Sequence, residues 1–512
     1  MEAGRSLARS PWEAGLRSEI ADRDRRRLRR GGRPVLPAAV RLDGACDGVR
    51  EQRSAGHLGR ARPHALVTAR RSSALRLGPL VAVMFFTVSG GPFGLEGLVG
   101  SVGPGLALLL LVATPLLYSV PETLLIGELA SMLPMEGGYY QWVKRAFGRF
   151  WGFWNGWLSW VYSLIDMAIY PVLCLQYVRF FAPGLGRLDG WLLALAMIWG
   201  ATWLNLRGTR TVGTASGWFV AAVLAPFGVL ALTALVRWLG QPATPFPVTP
   251  FHAAGTSFLG ALGLGVSQSI WNYSGWDNAS TIGGEIEQAT ATYPRALARA
   301  LPLVTVVYLV SIVPVLALTP WTSWTDGAWP DLARAVVGPW LGRWVAVAGV
   351  VSAFALFNAL LLAYSRIPLV LAQDGLLPAP LAATDARGTP RNAVLVSAVV
   401  YSVFALLPFG GLLAGDVLLY TAALALEFAA LLRLRRVEPT LRGAFRVPVG
   451  VPVLTVLAAL PVLLLILAVA LEVRSRTIGL PGVLVALCLA AAGPLAYAAL
   501  YGRRARVAAL PP

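Results

Sequence analysis

The stretch Thr87–Gly97 reads TVSGGPFGLEG and is the strongest indication of the fold class. It places Gly90, Gly91, Pro92 and Gly94 near the middle of a segment that is otherwise apolar. Glycine and proline interrupt a helical hydrogen-bond ladder, and non-helical backbone persists at membrane depth only where protein or a water-filled cavity satisfies it. The stretch therefore predicts a broken helix that lines a site, with a kink made for packing as the alternative.

A second interrupted segment follows at Ser267–Ser280, which reads SQSIWNYSGWDNAS and has Gly275 at its centre. The two interruptions lie five apolar segments apart, as in the inverted five-plus-five repeat of secondary transporters. In that arrangement half-helix ends build a substrate site near the midplane of the bilayer. The predicted fold class is an all-α integral membrane protein with a five-plus-five inverted repeat, twelve transmembrane helices and breaks in helices 1 and 6.

Twelve segments reach the length of about 20 apolar residues that a membrane helix needs. They are placed near 79–101, 105–132, 149–181, 188–206, 210–239, 257–283, 293–319, 333–365, 390–408, 411–434, 449–471 and 478–501.

Composition excludes a soluble protein, because 56% of the residues are hydrophobic and only 13% are charged. The net charge of +18 does not indicate nucleic-acid binding, because residues 1–78 alone contain 18 Arg against 8 Asp or Glu. This basic tail lacks an apolar period and is predicted to be disordered; an open alternative is that the functional protein begins near Val67. The predicted organisation is a tail at 1–78, a transporter domain at 79–501 (repeat one 79–239, repeat two 257–434, additional helices 449–501) and a cytoplasmic tail at 502–512.

The distribution of basic residues over the short loops predicts the orientation. With the amino-terminal tail inside, the inside connections and the carboxyl-terminal tail carry eighteen Arg or Lys and the outside connections carry seven. Positive loops are retained in the cytoplasm. We therefore expect both termini to be cytoplasmic, in a multi-pass protein of the cell membrane.

The two breaks predict the chemistry of a binding site for a small amine. The amides of Gly91, Phe93 and Gly94 after the first break can hold an anion such as a carboxylate. Carbonyls at Ile270–Asn272 can hold an ammonium group. Aromatic faces after the second break can contact a cation. The predicted substrate-binding set is Ser89, Gly90, Gly91, Phe93, Gly94, Glu96, Asp166, Trp271, Asn272, Tyr273, Trp276 and Asp277.

Five carboxylates stand out inside the predicted spans, namely Glu96, Glu122, Asp166, Asp277 and Glu427. Ionisable side chains in a membrane are costly, so each is a candidate for function. None has an Arg or Lys at the same predicted depth, so they are protonated or paired with a cationic substrate. A hydrogen-bonded helix contact or a gate is the alternative for Glu122 and Glu427.

Three further acids lie near the predicted cytoplasmic face. Glu285, like Glu128 and Glu287, is expected to form a gating pair with Arg295 or Arg299. Glu122, Glu285, Arg295 and Glu427 are therefore the candidates for coupling or gating.

The absence of several motifs limits the energy sources that the protein could use. The chain has no P-loop, no histidine within the predicted spans and no cluster of metal ligands, so we expect no cofactor, no metal and no catalytic group. For sodium, the eighth segment offers only the isolated hydroxyl and amide oxygens of Ser352 and Asn358. A proton carried by a buried carboxyl group is favoured, since burial favours the neutral acid.

The residues resemble the amino acid, polyamine and organocation permease superfamily, and in particular its polyamine uptake transporters. The resemblance covers residues 79–500 and is carried by GGPFGLEG at 90–97, GELASMLPMEGGYYQWV at 127–143, IDMAIYPVLCLQY at 165–177, WNYSGWDNASTIGGEIEQATATYPRAL at 271–297 and LEFAALLRLR at 426–435.

This resemblance implies a LeuT-like fold, alternating access and proton-linked uptake of polyamines or amino acids. It implies that Asp166, Asp277 and Glu427 are candidates for a polyamine's second ammonium group. The sequence departs from that group at Gln176 and Gly97, where acids are expected. Two alternatives stay open: a permease or exchanger for neutral or cationic amino acids and, in another class, a channel or sensor.

Overall fold

The computed structural model describes residues 74–240, 248–253, 255, 257–405, 413–475 and 480–508. The predicted tail up to residue 73, the segment ends at 408, 411 and 478, and residues 509–512 lie outside these ranges. The described chain is helical apart from turns and two isolated bridges. Its helices are α1 Leu77–Val88, α2 Glu96–Val102, α3 Pro104–Thr114, α4 Val120–Met132, α5 Gly138–Phe147, α6 Arg149–Val178, α7 Arg187–Asn205, α8 Thr209–Leu239, α9 Phe258–Tyr273, α10 Ala289–Leu316, α11 Trp329–Val336, α12 Pro339–Tyr364, α13 Arg366–Gln373, α14 Arg391–Phe404, α15 Leu413–Val437, α16 Val451–Ser475 and α17 Leu480–Ala508.

Seven spans in the described residues are long and apolar enough to cross a membrane: Pro104–Met132, Arg149–Val178, Thr209–Leu239, Ala289–Leu316, Pro339–Gln373, Asp416–Val437 and Val451–Leu471. The outer surface agrees with this, since large apolar side chains such as Trp218 and Leu463 are exposed where a soluble protein would carry polar groups. The protein is therefore an all-helical, multi-pass membrane protein. The other predicted segments coincide with the broken, shorter or less apolar helices α1 with α2, α7, α9, α14 and α17, so the count of twelve stays a prediction.

The first predicted interruption is a gap between α1 and α2. The first helix ends at Val88 and the second begins at Glu96. Gly91 and Gly94 between them have φ of 81° and 89°, the left-handed region that favours glycine. The Gly-Pro cluster thus breaks the helix where the sequence predicts.

The second interruption packs directly against the first. Helix α9 ends at Tyr273, and the chain continues through Gly275 into a 3₁₀ turn at Asn278–Thr281. A Cβ atom on Gly275 would lie 2.3 Å from the Thr87 carbonyl oxygen, and its φ is 104°. Only glycine allows this approach, so the two breaks meet at one place in the bundle.

The long helix α12 defines two ends of the bundle. It separates α11 from α13, and its 26 residues span about 39 Å at 1.5 Å per residue. We call these the α11 end and the α13 end. Residues 74–76, which belong to the predicted tail, already contact the α13 end, because the Leu75 amide donates to the Glu285 carbonyl at 2.8 Å.

Candidate functional site

A cavity of about 50 Å³ lies where the two breaks meet. It is lined by Thr87, Val88, Gly90, Phe93, Tyr162, Asp166, Tyr170, Leu173, Ile270, Trp271, Asn272, Ser274, Gly275, Asn278, Leu356, Tyr364, Asp416, Val417 and Tyr420. Five members of the predicted binding set are in this wall: Gly90, Phe93, Asp166, Trp271 and Asn272. The cavity is far below the 300 to 1,000 Å³ that is common for ligand pockets, so the helices are closed around it.

Two other members of the predicted set lie behind the wall. The Tyr273 hydroxyl donates to the Leu111 carbonyl at 3.0 Å. Trp276 is fully buried, and its carbonyl accepts a hydrogen bond from the Tyr293 hydroxyl at 3.1 Å. The structure therefore places the rings of Tyr273 and Trp276 in helix packing rather than in the cavity wall.

The predicted anion site at the first break already holds groups of the chain itself. The Gly91 amide donates to Ser89 Oγ at 3.0 Å, and the Gly94 amide donates to Glu96 Oε2 at 2.8 Å. Glu96 lies only two residues after Gly94, so its carboxylate reaches the Gly94 amide without any movement of the helices. These two amides are therefore not open to a substrate carboxylate, contrary to expectation.

The carbonyl groups freed by the breaks are also satisfied by side chains. Ser352 Oγ donates to the Gly90 carbonyl at 2.5 Å, and the Tyr308 hydroxyl donates to the Asn272 carbonyl at 2.7 Å. Ser274 Oγ donates to the Ile270 carbonyl at 2.7 Å. The Ser274 amide donates to the Trp271 carbonyl at 3.4 Å, so all three carbonyls expected to hold an ammonium group have internal partners. The carboxylates of the site therefore remain the candidate groups for binding a cation.

Asp166 is the predicted carboxylate that lines the cavity. Its two oxygens accept hydrogen bonds from the Tyr170 hydroxyl at 2.7 Å and the Tyr364 hydroxyl at 2.9 Å. Pro171 lies inside α6 one turn beyond Asp166. Neither Arg nor Lys lines the cavity among the described residues. The carboxylate is thus held in place by neutral donors and is left for a cation to balance.

Asp416 also lines the cavity, and sequence reasoning missed it. It is 5% exposed, and its Oδ1 has no hydrogen-bond partner within the described part of the chain. It falls inside the predicted segment 411–434, so the rule that flagged the other intramembrane acids reaches it as well.

Glu122 and Asp277 lie behind Tyr420 and share its hydroxyl group. Tyr420 Oη is 2.8 Å from Glu122 Oε1, 2.8 Å from Asp277 Oδ1 and 2.9 Å from the Gly275 amide nitrogen that donates to it. One phenol proton cannot serve two carboxylates. Both contacts are hydrogen bonds only if one of the acids carries a proton and donates it to Tyr420. The triad Glu122–Tyr420–Asp277 therefore completes its hydrogen bonds when one of the two carboxyl groups is protonated.

Glu427 is fully buried, and both of its carboxyl oxygens lack a hydrogen-bond partner among the described residues. It lies close enough to Asp277 and Glu122 to interact with both electrostatically. Glu427 therefore lies beside the triad in a place where an unpaired buried charge would be costly.

The gating pairs at the α13 end differ from those expected. Glu285 Oε1 pairs with Arg366 Nε at 2.9 Å, and Arg366 is fully buried. The expected partners, Arg295 and Arg299, are exposed on α10. Among the described residues neither forms an ion pair with Glu285, whereas Arg366 at the start of α13 does.

The other two acids at this end also have distant partners. Glu128 pairs with Arg435, and both side chains are buried. Glu287 pairs with Arg76 at 3.3 Å, and both are largely exposed. The expectation that these acids pair with Arg295 or Arg299 is therefore wrong for both.

The α11 end is closed by the loop that precedes α11. The Gly327 amide donates to Glu96 Oε1 at 2.9 Å, and the Tyr177 hydroxyl donates to the same oxygen at 2.8 Å. Trp329 Nε1 donates to the Pro92 carbonyl at 2.8 Å. The predicted site residue Glu96 thus ties the first break to this loop.

Replacing Gly100 by Ala is expected to open the α11 end. A Cβ atom at Gly100 would lie 1.7 Å from the Trp324 carbonyl oxygen, so the loop must move. In Gly100→Ala we expect an impermeant maleimide to label a cysteine placed at Leu173 about tenfold faster. This is the effect of destabilising the closed state by about 1.4 kcal/mol. The measurement uses protein without native cysteines. Gly228→Ala, with no atom within 4 Å of the added Cβ, is the control; equal rates in the two variants would contradict the closure.

An acid-lined cavity between two broken helices of a multi-pass membrane protein defines a membrane transporter, not an enzyme. The chain belongs to the amino acid permease family, whose profile matches residues 80–489. It is 34% identical to a probable polyamine transporter of Arabidopsis thaliana over 77% of this chain and 78% of that protein. It is also 34% identical to a polyamine transporter of Oryza sativa subsp. japonica over 73% of this chain and 69% of that protein. An aromatic amino acid transport protein of Escherichia coli K12 is 25% identical over 62% of this chain and 69% of its own length.

Proposed function

We propose that this transporter carries polyamines or related cationic amines by proton-coupled symport with alternating access. The observation that carries the proposal is the cavity wall, which combines buried carboxylates with aromatic rings and has no Arg or Lys among its described residues. Such a wall balances its own charge only with protons or with a cationic ligand.

The site supports an amine more than an amino acid. An amino acid also needs donors for its carboxylate, and two of the three amides predicted for that role, those of Gly91 and Gly94, already donate to Ser89 and Glu96. An amine needs acceptors and aromatic faces, which Asp166 and the neighbouring tyrosines supply. The names of the plant relatives support the same substrate class; the name of the bacterial relative keeps an amino acid permease as the second candidate.

The proposed architecture is the twelve-helix, LeuT-like five-plus-five repeat, with breaks at helices 1 and 6. The meeting of the two interruptions at Gly275 and Thr87 supports it, as does the pairing of five-apart segments. The excess of Arg at the α13 end supports a cytoplasmic location for that end and both termini, in the cell membrane. The closed α11 end would then face outward.

A proton is the proposed coupling ion. The Glu122–Tyr420–Asp277 triad requires a proton for its hydrogen bonds to be complete. In α12 both polar side chains considered for sodium already have protein partners, since Ser352 donates to Gly90 and Asn358 Oδ1 accepts from Asn205 at 2.9 Å. Glu285 and Arg366 are proposed to gate the α13 end.

Uptake into proteoliposomes tests this function. We expect labelled putrescine and spermidine to accumulate about tenfold over arginine and leucine, and an inward proton gradient to raise the accumulation. Empty liposomes and a dissipated gradient are the controls. Accumulation of leucine alone would contradict the amine assignment, and a saturation-free ion current would favour a channel.

A further inference from the structure

Asp416 stands out among the buried acids because it lines the cavity and its Oδ1 has no hydrogen-bond partner among the described residues. Asp166 is held by two tyrosine hydroxyls, and Glu122 and Asp277 share a third. Asp416 Oδ1 has no comparable donor within the described residues, although the side chain is 95% removed from solvent. Buried polar atoms are nearly always hydrogen-bonded, so an unpartnered carboxylate oxygen at a cavity wall points to a ligand.

The position of Asp416 on α15 connects it to the rest of the site. It lies four residues before Tyr420, so the two side chains share one face of the helix. Both line the cavity, and Asp166 lines it from α6. The cavity therefore has two carboxylates in its wall, on two different helices, and no described Arg or Lys to balance them.

We propose that Asp416 is a substrate-binding carboxylate that selects dications over monocations. This inference rests on the proposed function, since it presupposes that the cavity takes amines. A wall with one carboxylate is balanced by a single ammonium group, whereas a wall with two is balanced by a diamine or a longer polyamine. Asp416 thus supplies a second negative charge in a chain that has Gln176 and Gly97 at two positions where acids were expected.

A purely structural role for Asp416 makes a different prediction. Asp416 is in the first turn of α15, where a carboxylate stabilises the helix through the helix dipole. A helix-stabilising role would make replacement equally harmful to all substrates. A substrate-binding role would make it harmful only to substrates that have the second ammonium group.

Transport of putrescine and of butylamine distinguishes the two roles, because these amines have the same four-carbon chain and differ by one ammonium group. We expect wild-type protein to have a lower KM for putrescine than for butylamine. In Asp416→Asn the KM for putrescine should rise about 30-fold, while the KM for butylamine changes little and kcat for both is retained. Asp416→Glu should restore part of the preference, and the exposed Asp331→Asn is the matched control.

The outcomes separate this inference from the proposed function. If wild-type protein transports neither amine, the proposed function is wrong. If wild-type protein prefers putrescine and Asp416→Asn weakens both amines equally, or neither, Asp416 does not select dications and the inference is overturned. Loss of the preference in Asp416→Asn alone supports it.

Discussion

Replacing Glu122 by Gln should abolish proton-driven accumulation of substrate while leaving substrate exchange intact. Glu122 and Asp277 both lie 2.8 Å from the single hydroxyl of Tyr420. A glutamine at position 122 can donate its amide hydrogen to Tyr420, as a protonated Glu122 would, but it cannot release a proton. The variant is therefore fixed in the protonated arrangement, so the binding site survives and the coupling does not.

Two measurements on the same proteoliposomes test this expectation. Under an inward proton gradient the ratio of internal to external putrescine should fall to about 1, the value that an uncoupled carrier reaches, since a pH difference of one unit supplies about 1.4 kcal/mol per proton. Counterflow of labelled against unlabelled putrescine should keep its wild-type rate within about threefold. Gradient-driven accumulation at the wild-type level would show that the proton is carried elsewhere, with Glu427 as the next candidate.

Glu438→Gln provides the matched control for the same chemical change. Hydrogen bonds from Arg145, at 2.6 Å for the shortest, hold the pKa of Glu438 below its usual value. Glu438 follows the end of α15, outside the spans, and it stays ionised at neutral pH. It cannot exchange a transported proton, so accumulation should be unchanged in Glu438→Gln.

The helix breaks could be predicted from the sequence because their cause is local. Gly91 and Gly94 adopt left-handed φ, and Gly275 approaches the Thr87 carbonyl, as glycines in an apolar helix suggest. The intramembrane acids could be found for a similar reason, since the cost of each is a property of the residue and its depth.

The partners of those acids could not be predicted, because pairing depends on tertiary contacts. Glu285 pairs with Arg366, which is 81 residues away in the sequence, rather than with Arg295 on α10. The same limit explains why the amides of the first break were predicted to be open. Whether Glu96 turns back to cap Gly94 or faces a substrate is decided by the loop at Gly327, which also donates to it.

Replacing Arg435 by Met should destabilise the protein far more than the loss of an exposed ion pair. Arg435 and Glu128 form a buried pair, with side chains 3% and 1% exposed. Arg435 also donates to the carbonyls of Val447 at 2.9 Å and Val449 at 2.7 Å, which anchors the segment between α15 and α16. Removing the arginine leaves Glu128 buried without its counter-charge, a loss that costs about 3 to 5 kcal/mol.

The double variant Glu128→Gln/Arg435→Met separates the cost of the unpaired charge from the loss of the anchor. Without a buried charge it should recover most of the loss in apparent melting temperature measured in detergent, because a neutral pair of similar volume is often tolerated. Arg334→Met removes the exposed pair with Asp331, at 2.9 Å, and should change stability by only about 0 to 1 kcal/mol. If Arg435→Met melts at the same temperature as Arg334→Met, the pair does not hold the α13 end together.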